Sequence, residues 1–319
     1  MKKTVRKTLK LIIKISIGVF LLFLLINRIH LNELITNIKK INLYFFIWGT
    51  CCFIGIILTQ AFRHYVLLKT YFLSYPVTLK LVLMGFFFNH LLPTHVGGDV
   101  YKIYYLKKRN ISLGEATAFI TLDRITALAV ILFSGLTVLI VRFNFLSNLV
   151  QEKGIHLYLN IRMLIIAFLL ITASIGFLVW INKSVRIFSR IKIEGAAAIH
   201  ALKKLPAFRY LQIILLSFMT FIFRISKFYF FILCFQEMIP IPNLIIVVLA
   251  ANFLPLLPIS IGGLGVLEGT LFLGFTFFGL SETAAVGTAL LNRFVAWILA
   301  LFGGFLYLGN SKKGDKHHP

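Results

Sequence analysis

The chain has 319 residues, of which 59% are hydrophobic and only 13% charged, with a mean hydropathy of +0.93. A soluble domain carries about a quarter of its residues as Asp, Glu, Lys and Arg, so a water-soluble enzyme is excluded. Disorder is excluded too, because too much apolar surface would stay in water. The charge is mostly basic, 33 Lys+Arg against 10 Asp+Glu, and it lies between apolar runs, which points to a membrane and its anionic lipids and away from nucleic acid.

In chain order, Lys2, Lys3, Arg6, Lys7 and Lys10 precede a first apolar run at 11–28. No small-x-small cleavage site follows it, so it reads as a retained span. Further full spans are expected at 43–62, 115–141, 161–181, 210–236 and 284–308, since about 20 apolar residues cross the hydrocarbon core. The runs 77–92 and 245–258 differ. They lead into Pro93 with Gly97 and Gly98, and into Pro258 with Gly262 and Gly263. Proline and paired glycine break helices.

If 77–92 crossed fully, Lys102, Lys107, Lys108 and Arg109 would lie outside, against the positive-inside rule. Re-entrant hairpins at 77–109 and 245–280 keep every basic cluster in the cytoplasm, including the linker 182–209 and the tail 309–319, with 142–160 as an outside linker. The segments 30–41 and 182–209 read as amphipathic helices lying on the membrane. The expected fold is therefore an all-α polytopic membrane protein: one integral membrane domain with six full transmembrane helices, two re-entrant helical hairpins and both termini in the cytoplasm.

The two broken segments resemble each other. Leu92-Pro93 with Gly97-Gly98 matches Leu257-Pro258 with Gly262-Gly263, and Ser112 to Arg124 matches Ser281 to Arg293, with Asp123 opposite Asn292. Upstream, Gln60, Arg63 and Tyr65 align with Arg224, Lys227 and Tyr229. Three spans separate the hairpins, and an odd number inverts the second copy. Residues 1–141 and 161–308 are thus expected to form an inverted repeat, an architecture of secondary transporters whose sites lie between the repeats.

Rare charges in such a chain mark function or fastening. Asp99, Glu115, Asp123 and Glu268 surround the hairpins. They read either as couplers or as fasteners of broken helices, with Asp99 expected to pair with Arg293 and Glu268 with Arg124. Arg224 and Lys227 are three apart and share a helix face. Either they receive a lipid phosphate, or Lys227 reaches the outer interface while Arg224 pairs with Glu237 or another acid. Gly265 joins Gly262 and Gly263 as a candidate anion-binding backbone nest. His90 and His95 flank Pro93 as titratable or capping residues. Cys51, Cys52 and Cys234 form no Cys-x-x-Cys pair, and no nucleophile elbow or His-Glu-x-x-His is present. No cofactor, metal or catalytic residue is expected.

The motifs Asn89-x-x-x-Pro93-x-x-x-Gly97-Gly98-Asp99, Ser112 to Arg124, and Leu257-Pro258-x-x-x-Gly262-Gly263-Leu264-Gly265-Val266-x-Glu268 with Arg293 beyond are similar to those of the flippase-like integral membrane domain of lysylphosphatidylglycerol synthases. The chain resembles a stand-alone member without the soluble synthase domain, so the synthase reaction is not carried over. The resemblance implies moving or binding lipids. Ile261 stands where similar proteins often have a second proline, which implies a less rigid second hairpin.

The function expected is a lipid flippase or transporter for an anionic phospholipid or polyprenyl-linked head group. Arg124, Arg224, Lys227 and Arg293 would bind the head group. Asn89, Pro93, Gly97, Gly98, Pro258, Gly262, Gly263 and Gly265 would form the hairpins and gate. The alternatives are a non-catalytic membrane partner or scaffold of a separately encoded lipid-modifying enzyme, and an intramembrane lipid transferase.

Overall fold

The computed structural model describes residues 41–92, 96–143, 145, 200, 202–203, 205–256 and 264–314. The expected spans 11–28 and 161–181, almost all of the segments 30–41, 142–160 and 182–204, and residues Pro93, His95, Pro258, Gly262 and Gly263 lie outside the described residues.

Helix α1 (Leu43–Leu68) begins where the Asn42 side chain accepts a hydrogen bond from the Tyr44 amide at 3.0 Å, satisfying an amide that the helix cannot. After a 3-10 turn at Lys69–Tyr71 come α2 (Tyr75–Leu91) and α3 (Gly97–Lys107), then α4 (Leu113–Val141). The second part of the chain has α5 (Ala207–Leu233), α6 (Ile241–Phe253) continued by a 3-10 turn at Leu254–Leu256, α7 (Val266–Phe277) and α8 (Glu282–Gly314). Pro76 and Pro242 sit in the first turns of α2 and α6, where a missing amide proton costs nothing.

Among the described residues four helices are long and apolar enough to cross a membrane: Leu43–Tyr71, Leu113–Val141, Ala207–Leu233 and Glu282–Gly309. They coincide with four of the expected spans. Their outward faces are apolar, as on α8, where Phe294, Trp297, Leu301, Phe302 and Phe305 are exposed. Such a face is stable against hydrocarbon, not water. The chain is an all-α, multi-helix membrane protein.

The shorter helices pack in pairs, α2 on α3 and α6 on α7. The first pair is held backbone to backbone. A Cβ on Gly98 would collide with the Gly85 carbonyl, and one on Gly97 would come within 2.7 Å of the Phe88 carbonyl. The Asn89 side-chain oxygen accepts from the Gly98 amide at 2.8 Å. Asn89, Gly97 and Gly98 therefore act as close-packing residues that join the two helices.

Helix starts recur at fixed separations. Ala207 opens α5 164 positions after Leu43 opens α1 (207 − 43). Val266 and Glu282 open α7 and α8 169 positions after Gly97 and Leu113 open α3 and α4 (266 − 97, 282 − 113). The chain reversals recur too. Phe72 and Asn110, with φ of 55° and 60°, bracket α2–α3, while Gln236 and Gly279, with φ of 59° and 96°, bracket α6–α7. Asn110 and Gly279 each end a helix in a Schellman motif: Ile111 N donates to Leu106 O and Leu280 N to Phe275 O, both across five residues.

Helices α1 and α5 pack antiparallel. The contacts run Gly49 to Phe231, Gly55 to Phe223, Thr59 to Thr220 and Arg63 to Ser217, one number rising as the other falls. Glycines on α1 admit the phenylalanine rings of α5. On either side lie two apolar cores. One is built on Leu67, Leu81, Leu106, Phe119 and Ile213, the other on Phe228, Leu244, Val248, Leu271 and Phe275.

Candidate functional site: a buried network of charges

In the first part of the chain, charge is threaded between α1, α3 and α4. The Arg63 guanidinium donates from Nε to Asp123 and from Nη1 to the Ser217 hydroxyl at 2.8 Å. His64 follows on the same helix. Its Nδ1 lies 2.9 Å from the Gln60 carbonyl and 3.6 Å from Asp123 Oδ1, and its Nε2 lies 3.5 Å from Lys102 Nζ. A carbonyl only accepts, so Nδ1 carries the proton and Nε2 accepts from the lysine. Lys102 Nζ is 4.0 Å from Asp99, which pairs with Arg124. Arg63, His64 and Lys102 are 2%, 1% and 3% exposed.

The second part has a sparser set. Arg293 on α8 pairs with Glu268 on α7, as Arg124 on α4 pairs with Asp99 on α3, each pair 25 positions apart. Glu268 Oε2 also accepts from the Gly265 amide at 2.9 Å. Gly265 has φ 78°, a left-handed turn opening α7. Its amide thus donates to an internal carboxylate, while Gly262 and Gly263, the other members of the expected nest, lie outside the described residues. Lys227 Nζ donates to Asn292 Oδ1 at 2.7 Å and sits 4.3 Å and 4.1 Å from the ring centroids of Phe53 and Phe228. Arg224 donates to Asn252 of α6.

Several expectations are corrected. The pairs Asp99–Arg293 and Glu268–Arg124 do not form: each carboxylate takes the arginine of the next helix in its own part of the chain. Lys227 does not reach an interface, being 6% exposed, and Arg224 is not held by Glu237. Glu237 instead accepts from the Ser281 amide at 3.0 Å and from its hydroxyl. Glu115, expected near the charge machinery, closes a capping box with Ser112, its Oε2 accepting from the Ser112 amide at 3.2 Å and hydroxyl at 2.9 Å. Glu237 serves Ser281 as Glu115 serves Ser112.

Lys102 is a further addition. Charge counting used it only as an orienting base of the cytoplasmic side, and it is buried beside Asp99. Arg63, read only as a repeat match, and His64 belong to the network as well. The alignment of Arg63 with Lys227 was the signal that could have found the first of them.

The two sets approach one another. Arg63 and Arg224 lie close enough for their charges to repel, as do Arg224 and Lys227. His90 on α2 lies within electrostatic reach of Arg293 on α8, and those helices pack through Gly303 and Gly304 against Leu83 and Phe87. Among the described residues no group of three His, Cys, Asp or Glu could hold a metal ion.

The family model of the lysylphosphatidylglycerol synthase TM region matches residues 11–304, nearly the whole chain. The chain belongs to this family. The matched region is the non-catalytic membrane part of those synthases, distinct from their soluble domain, so the chain is a multi-pass membrane protein of a flippase-like family. It is also similar to two proteins of Methanocaldococcus jannaschii. With the UPF0104 membrane protein MJ1595 it shares 24% identity over 273 residues, covering 79% of this chain and 80% of the relative. With the UPF0104 membrane protein MJ1078 it shares 27% over 233 residues, covering 69% and 93%.

Proposed function

We propose that this protein carries a lipid with an anionic head group across the membrane, binding the head group where its two halves meet. The observation that supports this most is a charge imbalance. Within the network between the helices six bases, Arg63, Lys102, Arg124, Arg224, Lys227 and Arg293, are buried or half-buried with three acids, Asp99, Asp123 and Glu268, while the half-buried Glu115 and Glu237 are taken up at the starts of helices and the half-buried Arg142 and Arg209 lie at helix ends. Removing cations from water without anions is costly, and a phosphate supplies the missing charge together with acceptors for guanidinium and ammonium donors.

The architecture favours transport. Helices α1 and α5 start 164 positions apart and pack antiparallel, which is how equivalent spans of an inverted repeat meet. In this proposal α2–α3 and α6–α7 are re-entrant hairpins, six spans are completed by 11–28 and 161–181, and both termini face the cytoplasm. Helical backbone that stops at membrane depth is tolerated where protein or a wet cavity covers it. The membership in the TM-region family supports lipid as the cargo class, and a separately encoded lipid-modifying enzyme is a fitting partner.

Reconstitution into liposomes tests the proposal. Labelled anionic lipid in the inner leaflet should become accessible to an outside quencher faster than in empty vesicles. Equal rates across a panel of anionic lipids, with and without an ion gradient, would sink it.

A further inference from the structure

The surplus of positive charge is not spread evenly. Arg63 is answered by Asp123, and Arg124 and Lys102 share Asp99. In the second set Glu268 answers Arg293. That leaves Arg224 and Lys227. Among the described residues no carboxylate lies within 4.0 Å of either. Each rests on the neutral oxygen of an asparagine, Arg224 on Asn252 and Lys227 on Asn292.

The first part of the chain shows the contrast. Lys227 lies 164 positions after Arg63, and Asn292 lies 169 after Asp123, so an ion pair there is a cation on an amide here. Gln60, 164 positions before Arg224, is neutral. An acid there stands opposite an amide here, and an amide there opposite a base. Nearby polarity changes the same way. Phe119 fills the apolar core in the first part of the chain, while Thr288, 169 positions later, is fully buried with a hydroxyl that has no partner among the described residues. Thr288 lies one turn from Asn292 on the same face of α8.

We infer that Arg224 and Lys227, with Asn252, Asn292 and Thr288, form a subsite for a lipid head group bearing two negative charges on phosphorus, a phosphomonoester or a diphosphate. This rests on the reading of the protein as a carrier of anionic lipid. Two bases on adjacent turns with no carboxylate partner among the described residues, Lys227 lying between the rings of Phe53 and Phe228, match a dianion. A phosphodiester, with one negative charge, would leave one cation buried on an amide. Guanidinium and ammonium both donate to phosphate oxygens. The amides yield their place to the phosphate and then donate to it through their NH₂ groups.

The test uses the full chain in detergent, with native mass spectrometry of retained lipid after equilibration with dioleoyl phosphatidic acid, dioleoyl phosphatidylglycerol and dioleoyl phosphatidylcholine. The wild type should retain phosphatidic acid over phosphatidylglycerol by about tenfold. Asn252→Asp and Asn292→Asp each supply one negative charge at almost unchanged volume. Each should bring that ratio close to one while phosphatidylglycerol is still retained, and the double variant should retain neither. Asn292→Asp restores the chemistry of Arg63 and Asp123, so its melting temperature should not fall. If one variant does not fold, the wild-type ratio and the other variant decide.

Retention of both anionic lipids at equal levels, unchanged by either substitution, would overturn the subsite and leave the head-group proposal standing. Anionic lipids retained no better than phosphatidylcholine would overturn both. Inorganic phosphate at matched concentration should not displace the lipid. Complete displacement would show a site for the free anion and overturn the lipid assignment.

Discussion

Lys227 donates to Asn292 across the contact of α5 with α8, at positions equivalent in spacing to Arg63 and Asp123 on α1 and α4. The geometry of the pair is kept and its countercharge is gone. A buried ion pair is a poor source of net stability, but a buried cation without its anion is worse. The difference makes the two parts of the chain chemically unequal at positions of matching separation.

The Arg63–Asp123 pair gives the clearest stability expectation. Asp123→Asn should destabilise the protein by about 3–5 kcal/mol, because Arg63 stays buried and unanswered. Replacing both, as Arg63→Met with Asp123→Leu, should cost less than Asp123→Asn alone. Thermal unfolding in one detergent compares the three proteins, and a double replacement worse than the single would count against this account.

The pairing of carboxylates within each half is open to a double-mutant cycle. Asp99→Asn and Arg124→Gln should couple by about 1–3 kcal/mol, as hydrogen-bonded charges do. Asp99→Asn and Arg293→Gln should be additive to within about 0.5 kcal/mol. Strong coupling in the second cycle would restore the crossed arrangement expected from sequence.

Two glycines offer a matched comparison. Gly98→Ala places a methyl group on the Gly85 carbonyl and should cost about 1–3 kcal/mol by overpacking. Gly269→Ala meets nothing within 4 Å. It should leave stability unchanged or raise it by up to about 1 kcal/mol, the helix preference of alanine over glycine. Melting curves of the two variants check both statements.

The proposed orientation predicts a labelling pattern. Cysteines introduced for Lys107 and Lys108, both exposed, should react with an impermeant maleimide only when the cytoplasmic face is opened. A cysteine at Lys102, which is buried, should react from neither side. Labelling of position 107 in intact cells would invert the topology.

The long apolar stretches were legible because crossing hydrocarbon demands length and composition, and the four described helices long and apolar enough to cross fall where hydropathy puts them. The match of Ser112–Arg124 with Ser281–Arg293 was legible too, because cap residues and arginines carry chemistry that apolar matches lack. Lys102 was not, since a charge count treats each base as a surface base and cannot see Asp99 three residues away on the same buried face. The partners of Arg63 and Lys227 were hidden for a different reason. They lie 60 and 65 positions distant, and distant pairing depends on how helices cross. Asn252 carried no signal at all, as an amide in an apolar helix looks like an ordinary polar residue until the arginine facing it is known.

The contact of Gly98 with Gly85, pinned by Asn89, has a mechanical consequence. With backbone against backbone there is no side chain to rearrange, so α2 and α3 slide past each other only by breaking the contact. The pair therefore behaves as a single stiff lever. Any displacement of the pair against its neighbours would fall on its two ends, where Phe72 and Asn110 turn the chain through left-handed conformations.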